Sequence, residues 1–399
     1  MPNFRNYAIG SSGTPSPGVV GLLVLGEGAT LFALGASAQI IPDGTLGAES
    51  SVIQPNQFIR GDNADLITGG ATRGGNLFHS FQDLNVEMDQ RVYFSNPAGI
   101  ENILGRVTGS SRSDIDGLLG VNGSANLYLI NPNGIVFGPN AQLDVAGSFT
   151  ASTADRFTFS DGTSFSATNP NAPPLVTVNI NPGIQFGQDT PAALVSEADL
   201  EVGQDLTLAG GAVTSSGLLS APEGHVTVDA VAGDAQVQDV TASSARLSAS
   251  ENLVLEESQL LTEGDLSLLA EDTVRIRDSE ENLFLAAAGG DLLIQGNEQI
   301  DVLALNHLEI TPFQSGGNLT LVSNGYISGD AHFFSLGDFS IQDLSGGLGS
   351  FVSLYDPIIS ANGDVNFGEY KGVALKVEAT GSITVTGNVT ITGPDESFL

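Results

Sequence analysis

Gly264-Asp265-Leu266-Ser267-Leu268 returns with small changes as GDLLI (290–294), GNLTL (317–321), GDFSI (337–341) and GDVNF (363–367). Each copy is a glycine and a short polar residue followed by apolar, polar, apolar, the pattern of a strand with one face inward and one outward. Upstream copies are QDLTL (204–208) and GHVTV (224–228), and GSITV (381–385) and GNVTI (387–391) follow. The first apolar positions, Leu206, Val226, Leu266, Leu292, Leu319, Phe339 and Val365, lie about 20 to 27 residues apart except for one double interval. Arg246-Leu247-Ser248 falls inside that interval and has the pattern of the missing copy.

A strand that returns once in ~20 residues, with no helical segment between copies, fits a coil of two or three short strands joined by turns. Successive coils would pair in register ~4.8 Å apart, so about ten coils after residue 195 would make a rod ~50 Å long. A sandwich or propeller would instead favour hairpins with Asn-Gly or Asp-Gly turns at intervals of ~8 to 12 residues. The 50 glycines also weaken a helical reading, because each costs ~1 kcal/mol relative to alanine inside a helix. The expected fold class is all-β: a right-handed parallel β-helix, or solenoid, behind an N-terminal capping domain.

With 399 residues, 41% of them hydrophobic, the chain can bury a core along most of its length. Its 46 acidic against 12 basic residues give a formal charge of -34, a field that repels phosphates, so no nucleic-acid partner is expected. The absence of cysteine excludes disulfides, thiolate catalysis and Cys-ligated zinc. Val19 to Leu34 is largely apolar and ends in Gly35-Ala36-Ser37-Ala38-Gln39. Small residues at Ala36 and Ala38 fit signal peptidase, so residues 1–38 read as a signal peptide cut between Ala38 and Gln39. No later window holds the ~18 apolar residues of a transmembrane helix.

Residue types that carry chemistry are scattered. His79, His225, His307 and His332 occur singly, without H-E-x-x-H or other ligand spacing. Asp265, Asp291, Asp338 and Asp364 sit beside glycine at strand starts, where turn chemistry accounts for them. The pairs Glu256-Glu257 and Glu280-Glu281 read as solvated turns rather than a general acid and base. Calcium-binding repeats of the G-G-x-G-x-D type are missing. No catalytic residue, metal or cofactor is therefore expected, and the competing class is a β-helix enzyme acting on polysaccharide. Arg60-Gly61-Asp62 spells an integrin-binding tripeptide and is read as an ordinary turn.

Residues 39–190 are less regular. They run from QIIPDGTLG (39–47) through FIRGDNADLITGGATRGGNLFHSF (58–81) and SNPAGIENILGRVTG (95–109) to IDGLLGVNGSANLYLINPNGIVFGPNAQLDVAGSFTAST (115–153). Within the last of these, Asn131-Pro132-Asn133-Gly134 is a compact turn between the strands NLYLI and IVF, since Asn and Gly tolerate positive φ and Pro holds φ near -65°. The order of these motifs, over about 150 residues, resembles the N-terminal secretion domain of the filamentous haemagglutinin and haemolysin family.

The resemblance implies a secreted or cell-surface protein, adhesive or structural, that leaves through the periplasm and outer membrane. Its partner would be an outer-membrane β-barrel transporter with periplasmic polypeptide-binding domains, and its receptor a surface glycan or protein. It also implies that Asn131, Pro132, Asn133, Gly134 and Ile135 form the secretion signature. Two further segments are candidates for a second signature, Asn96-Pro97-Ala98-Gly99-Ile100 and Asn181-Pro182-Gly183-Ile184. Neither matches in full, which leaves the number of working signatures open. In Asn102-Ile103-Leu104-Gly105-Arg106-Val107 the apolar positions read as coil core. The chain then divides into 1–38, a secretion domain at 39–190 and β-helix repeats at 195–399; a fragment of a longer secreted effector is the remaining alternative.

Overall fold

Short apolar-polar-apolar segments can bury their apolar side only by stacking on copies of themselves, and the chain does this throughout. A computed structural model describes residues 40–171, 182–279, 281–305 and 310–393. Ala38, Gln39, Asn181, Glu280 and His307 lie outside the described residues. The fold is a right-handed parallel β-helix of about 14 turns, and among the described residues its only helical element is the 3-10 turn Gly47–Glu49.

Three faces run along the rod. The first stacks Asn76–Asp83, Asn102–Val107, Asn126–Ile130, Phe149–Ser152 and Leu206–Gly210, and continues to Val365–Phe367 and Ile383–Val385, every step parallel. The second runs from Ser113–Ile115 and Ile135–Phe137 through Leu194–Ser196 to Val389–Ile391. The third begins as a five-stranded sheet containing Ser51–Ile59, Asp62–Gly69, Arg91–Ser95, Leu118–Asn122 and Gln142–Asp144. It resumes at Leu200–Glu201 and ends at Lys376–Ala379. Both ladders of the first and second faces pass through residues 190–195 without interruption.

The repeated first apolar positions form one interior column. Leu206 pairs with Val226, Val226 with Ala245, Ala245 with Leu266, and the column continues through Leu292, Leu319, Phe339 and Val365. Leu247 fills the double interval, between Val228 and Leu268. Such side chains contribute ~1.5 to 3 kcal/mol each, before the entropy of ordering the chain is subtracted. GNVTI departs from the expected pattern: GSITV takes the next place on the first face, and Val389 pairs with Tyr370 on the second.

The N-terminal end is covered by antiparallel pieces. Ile41–Pro42 and Ala71–Arg73 pair with Asn76–Asp83, and Ser51–Ile59 folds back on Asp62–Gly69. A second antiparallel sheet, Arg156–Thr158 with Ser164–Ser166 and Gly183–Gln185, leaves the rod between two coils. Phe157, Phe159 and Phe165 from this excursion pack with Phe78, Leu104 and Ile130, and the Phe78 and Phe165 rings meet edge to face at 4.9 Å. Asn102–Val107 is consequently buried at every residue. The sequence reading placed its apolar residues in the coil interior, whereas Leu104 belongs to this outer cluster.

Candidate export-signature site

Asn131 ends the strand Asn126–Ile130, and Ile135 begins the strand Ile135–Phe137. Four residues must therefore turn the chain between two faces of the rod. Asn131 Oδ1 accepts the backbone N–H of Asn133 at 3.0 Å, an Asx turn, and the backbone N–H of Gly134 donates to Asn131 O at 3.1 Å. Gly134 sits at φ +117°, where a side chain would be strained.

The turn also ties three coils together. Asn131 is fully buried, and its Nδ2 donates to Ser111 O and Ser113 Oγ, both at 3.0 Å, in the preceding coil. Asn133 Nδ2 donates to Gly109 O at 2.9 Å, and Gly134 O accepts the N–H of Ser113. Toward the following coil, the N–H of Asn131 donates to Ser152 O at 2.9 Å. Ile135 is buried in the core, and Pro132 is half-buried on the turn's outside. The turn at Asn131 is thus a brace in which a buried amide satisfies otherwise orphaned backbone groups.

Asn96 does comparable work one coil earlier. Its Oδ1 accepts the backbone N–H groups of Ser124 and Ala125 at 3.1 and 3.2 Å, while Nδ2 donates to Ile100 O at 2.9 Å. Pro97 O accepts the N–H of Ile100, and Gly99 takes φ +83°. Pro182 and the following Gly183–Gln185 belong instead to the excursion, not to a coil turn. The segment at 96–100 thus shares the coil-bracing geometry of Asn131, while Asn181 of the other candidate lies outside the described residues.

Sequence reasoning missed the most buried charge. Arg106 is completely enclosed, with its guanidinium 3.8 Å from the Phe165 ring centre. It donates to Ser80 Oγ at 2.9 Å, Thr45 Oγ1 at 2.8 Å, Ser166 O at 2.7 Å and Asn171 O at 2.9 Å. The Ser80 and Thr45 hydroxyls in turn donate to Asp43, as does Thr108 Oγ1. Arg106 and Asp43 are therefore linked through hydroxyls rather than directly. Burial pushes the guanidinium down to about 10, and Asp43 partly offsets this. Burial also raises Asp43, but its hydroxyl and backbone donors outweigh that and hold it below the ordinary carboxylate value. The network fastens both the N-terminal cap and the excursion to the first coils.

The other candidates are engaged elsewhere. Arg60 pairs with Asp144 and donates to Val121 O at 3.1 Å, so the Arg-Gly-Asp arginine is held against the rod. Glu256 pairs with Arg275, and Glu257 accepts from Asn282. His79, His225 and His332 are bonded to different serines and threonines, and among the described residues no group of three acidic or histidine side chains could hold a metal.

Residues 38–282 match the model of the TPS secretion domain family. The heme/hemopexin-binding protein of Haemophilus influenzae is 38% identical over 78 residues, a match covering 20% of this chain and 8% of that protein. Among solved structures, the HMW1 secretion domain from Haemophilus influenzae aligns over 88% of this chain and 100% of its own, at 16% identity and a TM-score of 0.41. The filamentous hemagglutinin secretion domain aligns over 89% and 98%, at 14% identity and a TM-score of 0.26. With the family match spanning more than half of its length, this chain belongs to the TPS secretion domain family.

Proposed function

We propose that this chain is the exported member of a two-partner pair, passed through an outer-membrane β-barrel transporter and acting as an adhesive or structural rod in the medium or on the cell surface. The family match over residues 38–282, with the braced turn at Asn131 inside it, is the observation that carries the reading. A barrel pore admits extended chain but not a folded rod. Each coil that closes outside buries apolar side chains against the last, and solenoid folding can propagate from one end, which biases transit outward.

A polysaccharide-cleaving enzyme would need carboxylates free to act on substrate. Asp265, Asp291, Asp338 and Asp364 each commit Oδ1 to a backbone N–H of the next coil, which favours a structural role. For a glycan or protein receptor the flank offers exposed Leu336, with Phe334 beside it in a shallow depression. The deciding experiment compares extracellular with periplasmic protein when the cognate barrel is present and absent. Secretion should require the barrel; equal secretion in both backgrounds overturns the reading.

A further inference from the structure

The outer sides of the three faces differ in chemistry. On the second, arginines and carboxylates pair with one another, Arg275 with Glu256 and Arg277 with Asp301. On the third, the column Leu261, Ala287, Gln314 and Phe334 is mostly apolar. The first face is different again. In register along it stand Thr227, Arg246, Ser267, Thr320, Ser340 and Asn366, with Leu293 between Ser267 and Thr320. Beside them run Asp229, Ser248, Leu269, Gln295, Val322 and Gln342.

Two cavities open on these columns. One, of about 400 Å³, is lined by Asp229, Arg246, Ser248, Leu269 and Gln295, and the other, of about 310 Å³, by Thr320, Ser340, Gln342 and Asn366. They follow one another along the rod, since Gln295 and Thr320 stand on successive coils. Leu348 walls the second, brought there by the segment that folds back to bridge Gln342. From Thr227 to Asn366 the columns make a strip roughly 29 Å long, with a hollow toward each end.

We propose that this strip binds an extended, uncharged, β-1,4-linked polysaccharide lying along the rod axis; the inference rests on the adhesive reading above and supplies its ligand class. Such a chain advances per sugar about as far as one coil does, so consecutive sugars meet consecutive coils in the same way. Hydroxyls and amides both donate and accept, as sugar hydroxyls do, while Leu269, Leu293 and Val322 offer aliphatic surface to the C–H faces of the rings. Charge fits as well. In a chain of net charge -34, only Asp229 and Arg246 on these columns are charged, with opposite sign. An anionic polymer would meet the repulsive field of the whole chain, and a neutral one does not.

The polar groups hold one another in place. Gln342 Nε2 donates to Ser340 Oγ at 3.1 Å, Ser340 Oγ to Thr320 Oγ1 at 3.4 Å, and Gln295 Nε2 to Asn297 Oδ1 at 2.9 Å. Arg246 is exposed and, among the described residues, pairs with no carboxylate, although Asp229 lines the same cavity. An extended peptide is a poorer fit. Strand addition needs a free backbone edge, and here each strand is already paired on both sides by its neighbouring coils.

Calorimetric titration of the purified full chain tests this. Cellohexaose should bind, and cellobiose, which reaches fewer coils, should bind roughly tenfold or more weakly. Hexagalacturonate should also bind more weakly than cellohexaose. Ser248→Ile with Ser340→Ile fills both hollows with residues that suit a strand and should lower cellohexaose affinity roughly tenfold. Ala287→Ile, on the third face, should leave it unchanged, and circular dichroism should be the same in both variants. No binding of cellohexaose, equal binding of cellobiose, tighter binding of hexagalacturonate or indifference to the double change would each overturn the proposal. So would loss of binding in Ala287→Ile, which would move the site to the depression beside Phe334. The barrel takes no part in this titration. A chain that needs it for secretion but binds no glycan sinks the ligand alone, whereas one that binds but is secreted without it sinks the export reading.

Discussion

Asp291 Oδ1 accepts the backbone N–H of Asn318, one coil further along, at 2.7 Å. The same bond joins Asp265 to Asp291, Asn318 to Asp338, Asp338 to Asp364 and Asp364 to Ser382. The glycine before each donor makes the room: a Cβ at Gly317 would intrude on Asp291 Oδ1, and one at Gly363 on Asp338 Oδ1. The recurring Gly-Asx pair is therefore a single device, with an empty side chain above and a carboxylate or amide reaching into it. Asp291→Ala and Gly317→Ala should each cost about 1 to 2 kcal/mol through loss of the same bond. Because they act on one bond, the double variant should cost clearly less than their sum in urea unfolding. Simple additivity would count against the ladder.

Arg106 should be the least replaceable side chain of the N-terminal region. Arg106→Met strands Ser166 O and Asn171 O without their donors, at about 2 to 4 kcal/mol, and Arg106→Lys recovers only part because an ammonium lacks the guanidinium's fixed fork. Limited proteolysis should find new cleavage between residues 155 and 171 in the Met variant before the repeats are touched. Unchanged protection there would show that the excursion holds without the network.

What the sequence disclosed and what it hid follow from the range of each interaction. The column Leu266, Leu292, Leu319 was legible because strand alternation and coil period are both local to the chain. The turn at Asn131 was legible because Asn, Pro and Gly carry their own backbone preferences. Arg106 was not, since its partners at Thr45, Ser80, Ser166 and Asn171 come from four separate segments. Leu104 looked like further coil core, because alternation says that a face is buried but not against what.

Acid should weaken the cap through His79. Its ring is fully buried, stacked near Phe81 with Phe94 edge-on, and its Nδ1 lies 2.9 Å from Ser51 Oγ. Burial pushes its pKa from 6.5 down to about 3. The unfolded chain therefore takes up a proton that the folded chain refuses. This contribution is fully present above pH 6.5 and is lost as the pH falls toward 3, reaching about 2 kcal/mol by pH 5. The urea midpoint should fall between pH 7 and pH 5, and His79→Gln should flatten that slope while keeping a polar partner for Ser51. Equal slopes in both proteins would remove His79 as the cause.

The last prediction separates two ways in which the turn at Asn131, if it is the export signature, could serve export. Asn131 is buried and Asn133 exposed, yet both spend their amides on neighbouring backbone, so the turn's chemistry points inward to the rod. If the signature works by shaping this turn, loss of secretion should track loss of stability. Asn131→Ala removes two donated bonds and the two that its Oδ1 accepts from the backbone N–H and Nδ2 of Asn133, and should cost about 2 to 4 kcal/mol. Asn133→Ala loses fewer bonds at an exposed site and should cost about 1 kcal/mol. Gly134→Ala, at φ +117°, should fall between them through backbone strain of about 1 to 3 kcal/mol. Urea midpoints and the extracellular fraction, measured on the same three variants with the barrel present, should therefore rank alike, with a proteolysed periplasmic pool largest for Asn131→Ala. Asn133→Ala that kept its midpoint but lost secretion would instead assign the exposed amide to direct contact with the transporter.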